Sequence, residues 1–285
     1  MDIIKNSKKT INFQNTSIPK LKVILSTLYK CPQYRAIENI IMNRNKKYII
    51  SVNYHSVPID SVHNFESQIN TFYMTYENVN RSKLESFLRG DWPYAKPGIM
   101  LHFDDGLREH YEIAAPVLDK YEFTGWYHVI TDNIDNHRAI YEKDPMTWDQ
   151  VRSLARRGHE ICSHSCTHRR LNNKLSDEEI RDEVCRSYER ILSELGCEPI
   201  AFCYPGGEID SYDIRAIRLI KSRYKYAFPS YTKKINHNIS PYAINRSNIE
   251  SSWPLSAVYL SIGPLWQLKH RTKASAYNKK LSIEL

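Results

Sequence analysis

Ile99-Met100-Leu101-His102-Phe103-Asp104-Asp105-Gly106 is a short apolar run stopped by two adjacent carboxylates and a glycine. The run has the length of a buried strand, and Asp-Gly after it is turn chemistry. Working outward, Leu107 to Tyr121 reads as a helix, with Tyr111, Ala114, Ala115, Leu118 and Tyr121 on one face. Trp126–Ile130 reads as the next strand. Thr147 and Gln150 form a capping box that opens a helix with Trp148, Val151, Leu154 and Ala155 inward, and Gly158 stops it. Glu160-Ile161-Cys162 is a strand leading into His164 and His168. Ser176 and Glu179 make a second capping box, and the helix that follows ends at Gly196.

The same alternation continues to both sides. Tyr48–Tyr54 is a β-branched and aromatic strand ending at His55-Ser56-Val57-Pro58, followed by helical patches at Phe65–Tyr76 and Arg81–Leu88. Ile200–Tyr204 is a strand broken by Pro205-Gly206-Gly207. Ile214, Ile217 and Leu219 mark a helix, Tyr224–Phe228 a strand, and Tyr242–Ile244 is read as a last strand. Strands alternating with helices imply parallel β/α units, whose chemistry gathers at the C-terminal strand ends. His55, Asp104, Asp105, His164 and Tyr204 all fall at such ends. The expected organisation is an N-terminal extension over 1–47, with a helix at Leu21–Tyr29, a catalytic barrel over 48–252, and a basic C-terminal tail over 253–285, mobile over Lys269–Lys280.

Composition sets the outer limits. The chain has 285 residues, 41% of them hydrophobic, enough for one large domain. No apolar run approaches the roughly 18 residues of a membrane span, and no apolar segment follows the N-terminal lysines as in a secretory signal. Six cysteines without a C-x-x-C pair read as reduced thiols, so cytoplasmic placement is expected. The net charge of +8 favours anionic neighbours such as a phosphorylated substrate or an anionic membrane face, although a lysine-rich composition alone produces the same number. No nucleic-acid-binding module is recognisable, and no nucleic-acid partner is expected.

Two imidazoles and a carboxylate are three ligands for a divalent metal with an open position, and a second carboxylate beside them is a base. Either half alone is weak, because Asp-Gly is ordinary turn chemistry and most histidines are structural. Cys162 and Cys166 offer a rival, a Cys/His structural zinc knot, but no second cysteine pair stands at finger spacing. His110, His128, His137, His159 and His237 read as structural or surface residues.

Phe103-Asp104-Asp105-Gly106 and His164-Ser165-Cys166-Thr167-His168, with Met146–Gln150, Gly158–Ile161 and Phe202–Gly207 flanking them, resemble the polysaccharide deacetylase family, the NodB-homology or carbohydrate esterase family 4 group. The likeness runs from about Tyr48 to Ile249. It implies a distorted (β/α) barrel of about seven strands and a hydrolase that removes an acetyl group from an amino sugar in a glycan, glycolipid or sugar precursor. It further implies that Asp105, His164 and His168 hold a metal, usually Zn²⁺, and that Asp104 is the base. Tyr204, Pro205 and Gly206 would supply oxyanion and substrate contacts.

Two positions depart from the family. Cys203 stands where an arginine that orients the base is common, and Arg246 is the substitute we expect, grouped with the substrate and oxyanion contacts. No Leu-x-x-His supplies the acid near the C-terminus, since Leu268-Lys269-His270 has the wrong spacing. The strand-end His55 in Tyr54-His55-Ser56 is the expected acid. Hydrolysis of another linear amide or N-formyl group, and an inactive carbohydrate-binding homologue, are the alternatives.

Overall fold

The computed structural model describes residues 47–263, 266–267 and 271–281. The 1–46 stretch, with the expected helix at Leu21–Tyr29, and Leu268-Lys269-His270 lie outside the described residues.

The framework is parallel throughout. Strands β1 (Ile49–Tyr54), β2 (Glu77–Asn78), β3 (Gly98–Phe103), β4 (Gly125–Val129), β5 (Glu160–Ser163), β6 (Ala201–Cys203), β7 (Tyr226–Phe228) and β8 (Ser247–Asn248) form one sheet. Its order is β7-β6-β5-β4-β3-β1-β8, with β2 paired to β3 off this path. The segment entering β8 joins the two edges. On one side the Ile244 N–H donates to Ala227 O and the Arg246 N–H to Pro229 O, both at 3.2 Å. On the other side Ser247 and Asn248 pair with Val52 and Asn53 of β1. The sheet is thereby a distorted barrel, and Arg246 lies on its closing seam.

Helices wrap the outside. These are α1 (Val62–Thr75), α2 (Arg81–Leu88), α3 (Ala115–Lys120, entered through a π-turn at His110–Ala114), α4 (Thr131–Asp135), α5 (Trp148–Arg156), α6 (Asp177–Arg181), α7 (Ser187–Leu195), α8 (Ile214–Arg223), α9 (Leu255–Ile262) and α10 (Arg271–Leu281). Both expected capping boxes form, at Thr147/Gln150 and Ser176/Glu179. Each satisfies two backbone donors that the first turn leaves open.

The period-2 alternation of a strand sorts the core into two layers. Ile50, Val52, Tyr54, Ile99, Leu101, Phe103, Tyr127 and Val129 face outward beneath the helices. Ile49, Met100, Trp126, Cys162, Ala201 and Phe228 fill the barrel interior. Each fully buried apolar side chain of this kind contributes roughly 1.5–3 kcal/mol. Further along these strands the inward positions turn polar: Asn53, His102, His128 and Cys203, then Asp104 and His164, all buried. The polar site is therefore the upper storey of an apolar plug.

Two expectations are corrected. Tyr242–Ile244 is not a strand: Pro241–Ala243 forms one 3₁₀ turn, because Pro241 supplies helical φ at its start and Ser240 caps it through the Tyr242 N–H. The last strand is Ser247–Asn248. The stretch read as a mobile tail is helical over Arg271–Leu281 and buries Ala274, Tyr277 and Leu281, with Tyr277 against Tyr231 at 4.4 Å between ring centroids. Lys273, Lys279 and Lys280 lie on the same helix as this apolar stripe, which has a period of three to four.

Candidate active site

Asp104 and Asp105 follow β3, and their turn is strained. Asp105 has φ +74° and Gly106 φ +65°. An added Cβ on Gly106 would come within 3.3 Å of the Val129 backbone, so both its conformation and its space call for glycine. On the second loop, Ser165 and His168 also have left-handed φ, +65° and +63°. Such conformations cost non-glycine residues of order 1–3 kcal/mol and persist where the surroundings dictate them.

Here the surroundings are visible. Glu183, buried, accepts from the Cys166 and Thr167 N–H groups at 3.0 and 2.9 Å and from the Thr167 hydroxyl. The Ser163 hydroxyl accepts from the Ser165 N–H at 3.1 Å, and Ser165 Oγ from the His168 N–H at 3.0 Å.

These loops bring Asp105, His164 and His168 together. Asp105 Oδ1 is 3.6 Å from His164 Nε2 and 3.5 Å from His168 Nε2. These separations are too long for hydrogen bonds. They match the spacing of about 3.4 Å between two atoms that each lie about 2.1 Å from a tetrahedral ion. Asp105 Oδ1 is buried without a hydrogen-bond partner. His164 Nδ1 faces Cys203 O at 3.0 Å, which fixes the proton on that nitrogen and leaves the Nε2 lone pair turned toward Asp105.

The charge states agree with this geometry. Burial pushes His164 down to about 3, with His168 adding to the effect, and lowers His168 as well, so both imidazoles are neutral ligands. Burial raises Asp105 to about 7, against the opposing pull of His55 and with Asp104 adding to the rise. A neutral imidazole pair facing a carboxylate that lacks a countercharge is a donor set that fits a divalent cation.

Asp104 is held differently. Arg246 Nη1 and Nη2 donate to its two oxygens at 2.5 and 3.1 Å, and Asn53 Nδ2 donates to Oδ2 at 2.9 Å. Burial alone would raise this carboxyl, but Arg246, helped by His164, His128 and His55, outweighs it and holds Asp104 well below the usual carboxylate range. Arg246 is 1% exposed. Its guanidinium also reaches Cys203 Sγ at 2.8 Å and Asn53 Oδ1 at 3.2 Å. Arg246 is therefore the buried partner of the Asp104 carboxylate, the pairing expected for it from the gap at Cys203.

Asp104, His164 and Cys203 form a second cluster of metal-ligand type. The Arg246 cation already occupies that position, and burial keeps the Cys203 thiol protonated. The second cluster is not a second metal site.

His55 Nε2 lies 4.0 Å from Asp104 Oδ2, and the His55 side chain is 29% exposed at the mouth. Its loop is pinned by His110 Nε2 against His55 O at 3.2 Å, by Glu109 accepting from the Ser56 hydroxyl and the Val57 N–H, and by Ser251 Oγ donating to Ser56 O.

The third loop offers a different donor from the one its tyrosine suggests. The Tyr204 N–H donates to Phe228 O at 3.3 Å, a continuation of the sheet, and its ring is buried against Tyr212. Gly207 donates to Tyr204 O. Pro205 has no N–H, so the Gly206 N–H, which meets no acceptor among the described residues, is the free donor of this turn. A side chain there would collide with Ser211 Oγ at 2.9 Å and Arg170 Nε at 3.1 Å.

Asn53 and Glu183 escaped the sequence reading. Asn53 was in principle legible: it stands two residues before His55 and so shares its inward face. Glu183 lies on the π-turn leading into α7 and carries no local signal. His128, read as structural, is buried with its Nε2 2.8 Å from His102 Nδ1, directly below the site.

Comparison with known proteins gives a family likeness and a shared fold. The family model for polysaccharide deacetylases matches residues 93–224. The YxkH protein of Bacillus subtilis (strain 168), assigned to the polysaccharide deacetylases, is 22% identical over 182 residues, which cover 64% of this chain and 62% of YxkH. The chain thus spans somewhat less than two thirds of that relative. Among solved structures, the Streptococcus pyogenes deacetylase PplD, in complex with acetate, superposes with a TM-score of 0.64 at 19% identity, covering 76% of this chain and 97% of that one. A de-N-acetylase from Aggregatibacter actinomycetemcomitans gives 0.62 at 19% identity, covering 75% and 99%. At these identities the superpositions establish the shared fold.

Proposed function

We propose, from the match of the polysaccharide deacetylase family model to residues 93–224, that this chain hydrolyses the N-acetyl group of an amino sugar in a metal-dependent reaction. The observation that carries this reading is the division of two adjacent carboxylates. Asp105 faces two neutral imidazoles with an unpartnered oxygen, while Asp104 is clamped in its ionised form.

Asp105, His164 and His168 would hold the ion, Zn²⁺ by the chemistry of an N/O donor set. A divalent ion bound there supplies Lewis acidity toward the amide carbonyl and toward water at neutral pH. Asp104 accepts the proton of the attacking water. It is kept ionised by Arg246 and aimed by Asn53, whose amide leaves its carboxylate no freedom to turn. The Gly206 N–H lies in the loop beside this centre and is our candidate donor to the developing oxyanion. His55, the mouth residue nearest Asp104, delivers a proton to the departing amine as the C–N bond breaks, giving acetate and a free amino group.

The substrate we favour is a sugar attached to an anionic carrier, a lipid- or phosphate-linked precursor, because the chain carries a net charge of +8. No helix among the described residues is long and apolar enough to cross a membrane. The five described cysteines are free thiols, in keeping with a cytoplasmic reaction at or near an anionic membrane face. Binding to anionic vesicles at low salt, reversed by moderate salt, supports that placement; absence of binding at low salt removes it.

The test of the activity is acetate release from N-acetylglucosamine oligomers and from lipid- and phosphate-linked N-acetyl sugars, with and without a chelator. Release that stops on chelation and returns with zinc supports the reading. Absence of release from every N-acetyl sugar by the zinc-loaded protein contradicts it.

A further inference from the structure

Ile140-Tyr141-Glu142-Lys143 is a hairpin turn built against residue preference. Ile140 and Lys143 exchange both backbone hydrogen bonds at 3.0 Å. Tyr141 and Glu142 between them have φ +53° and +62°. A two-residue turn with both central φ values positive is the type I′ geometry, which strongly favours Asn-Gly. A tyrosine and a glutamate hold those positions here. Left-handed φ in bulky residues gathers at sites where the backbone presents a side chain for use.

The hairpin's C-terminal arm is fastened to both loops of the site. The Arg108 N–H donates to Asp144 O and the Met146 N–H to Gly106 O, each at 2.8 Å, so this arm rides on the turn that carries Asp104 and Asp105. On the same arm Lys143 Nζ donates to Glu109 Oε2 at 2.6 Å and to Ser56 Oγ at 2.8 Å, which ties it to the loop that carries His55. The tip is thereby fixed relative to the base, the expected acid and the expected metal ligands at once.

Tyr141 stands at that tip, 43% exposed. Burial, and then Asp105 and Asp104, push its phenol up to about 12. The other large exposed apolar side chains among the described residues, Ile59, Tyr73 and Met74, belong to α1 and the turn before it. A half-exposed aromatic on a turn fastened beside the reacting centre is suited to the C–H face and hydroxyls of a sugar ring.

We infer that Tyr141 is a specificity-determining residue that packs on the sugar unit bearing the scissile amide and orients it over Asp104. This rests on the deacetylase reading above. Tyr141 takes no part in proton transfer; its share is binding and orientation.

The experiment compares wild type, Tyr141→Ala, Tyr141→Phe and Glu142→Gly on the N-acetylglucosamine tetramer and on 4-nitrophenyl acetate, which has no sugar. Tyr141→Ala should raise KM for the tetramer about tenfold, the scale of one aromatic contact, and leave the ester rate within about twofold. Tyr141→Phe should keep most of the wild-type KM, since the ring face carries the contact. Glu142→Gly, which relieves the turn without touching the ring, should match wild type on both substrates.

An unchanged tetramer KM in Tyr141→Ala overturns the inference. So does an equal loss on both substrates, which would mean that the hairpin only braces the His55 loop. Wild type that cleaves the ester but no N-acetyl sugar overturns the deacetylase reading and this inference with it. Wild type active on the tetramer leaves the deacetylase reading standing, so that the variants then test Tyr141 alone.

Discussion

Arg246 reaches Asp104 across the closing seam of the barrel and grips both its carboxylate oxygens, at 2.5 and 3.1 Å, 142 residues away in sequence. Replacing it by alanine leaves a buried carboxyl with burial unopposed, so the Asp104 pKa must rise. Arg246→Ala should lower kcat/KM at neutral pH by about 10²–10³ and move the acid limb of the pH profile upward. Cys203 Sγ lies 3.7 Å from the same carboxylate. Adding Cys203→Arg to Arg246→Ala should therefore recover part of the loss. Rate–pH profiles of the two variants check both statements.

His55→Asn should bind metal like the wild type and lose about 10²–10⁴ in turnover, because an amide cannot deliver a proton to the leaving amine. Metal content measured beside kcat separates this outcome from a loss of the ion.

Glu183→Gln keeps the size of the side chain but weakens the charge-assisted hydrogen bonds that fix the left-handed His168 loop. Metal affinity should fall about 10–100-fold, as for other residues that orient ligands. Competition with a chromogenic zinc chelator measures it.

The metal-free protein should lose stability as pH falls below about 6.5, the ordinary histidine range. His102, His128, His164 and His110 are held neutral in the fold mainly by burial, the last with its pKa near 4. Their folded pKa values are depressed, so the unfolded chain binds more protons below that pH and stability falls as pH drops. Asp105, raised to about 7, acts in the opposite sense for a single proton. Asp104, depressed, adds its own loss only as pH falls below the ordinary aspartate range. The net result is several kcal/mol lost between about pH 6.5 and 4. Urea midpoints across this range test it, and His102→Thr should flatten the slope.

How much of the fold and site could be read in the sequence follows from the range of the forces. The strand ending in Asp104-Asp105-Gly106 and the His164/His168 spacing are local patterns, and the structure brings these residues together. The capping boxes at Thr147 and Ser176 are likewise local and form as expected. Arg246 could be named as a partner of Asp104 only because Cys203 left a gap to fill. That its guanidinium reaches Asp104 depends on the seam between β7 and β1, which no local pattern encodes. The expected strand at Tyr242–Ile244 failed because Ser240-Pro241 makes a capped turn stronger than the β propensity of three residues. Tyr141 was hidden for the opposite reason: its turn contradicts residue preference, so sequence reading by preference passes over it.

The most direct test of the central claim is metal content and acetate release measured on the same preparations of wild type and His168→Ala. About one divalent ion per wild-type chain, with ion and acetate release lost together in the variant, is the expected result. Acetate release that survives in metal-free protein, or a full complement of metal in His168→Ala, would contradict the assignment of Asp105, His164 and His168 as the centre of the reaction.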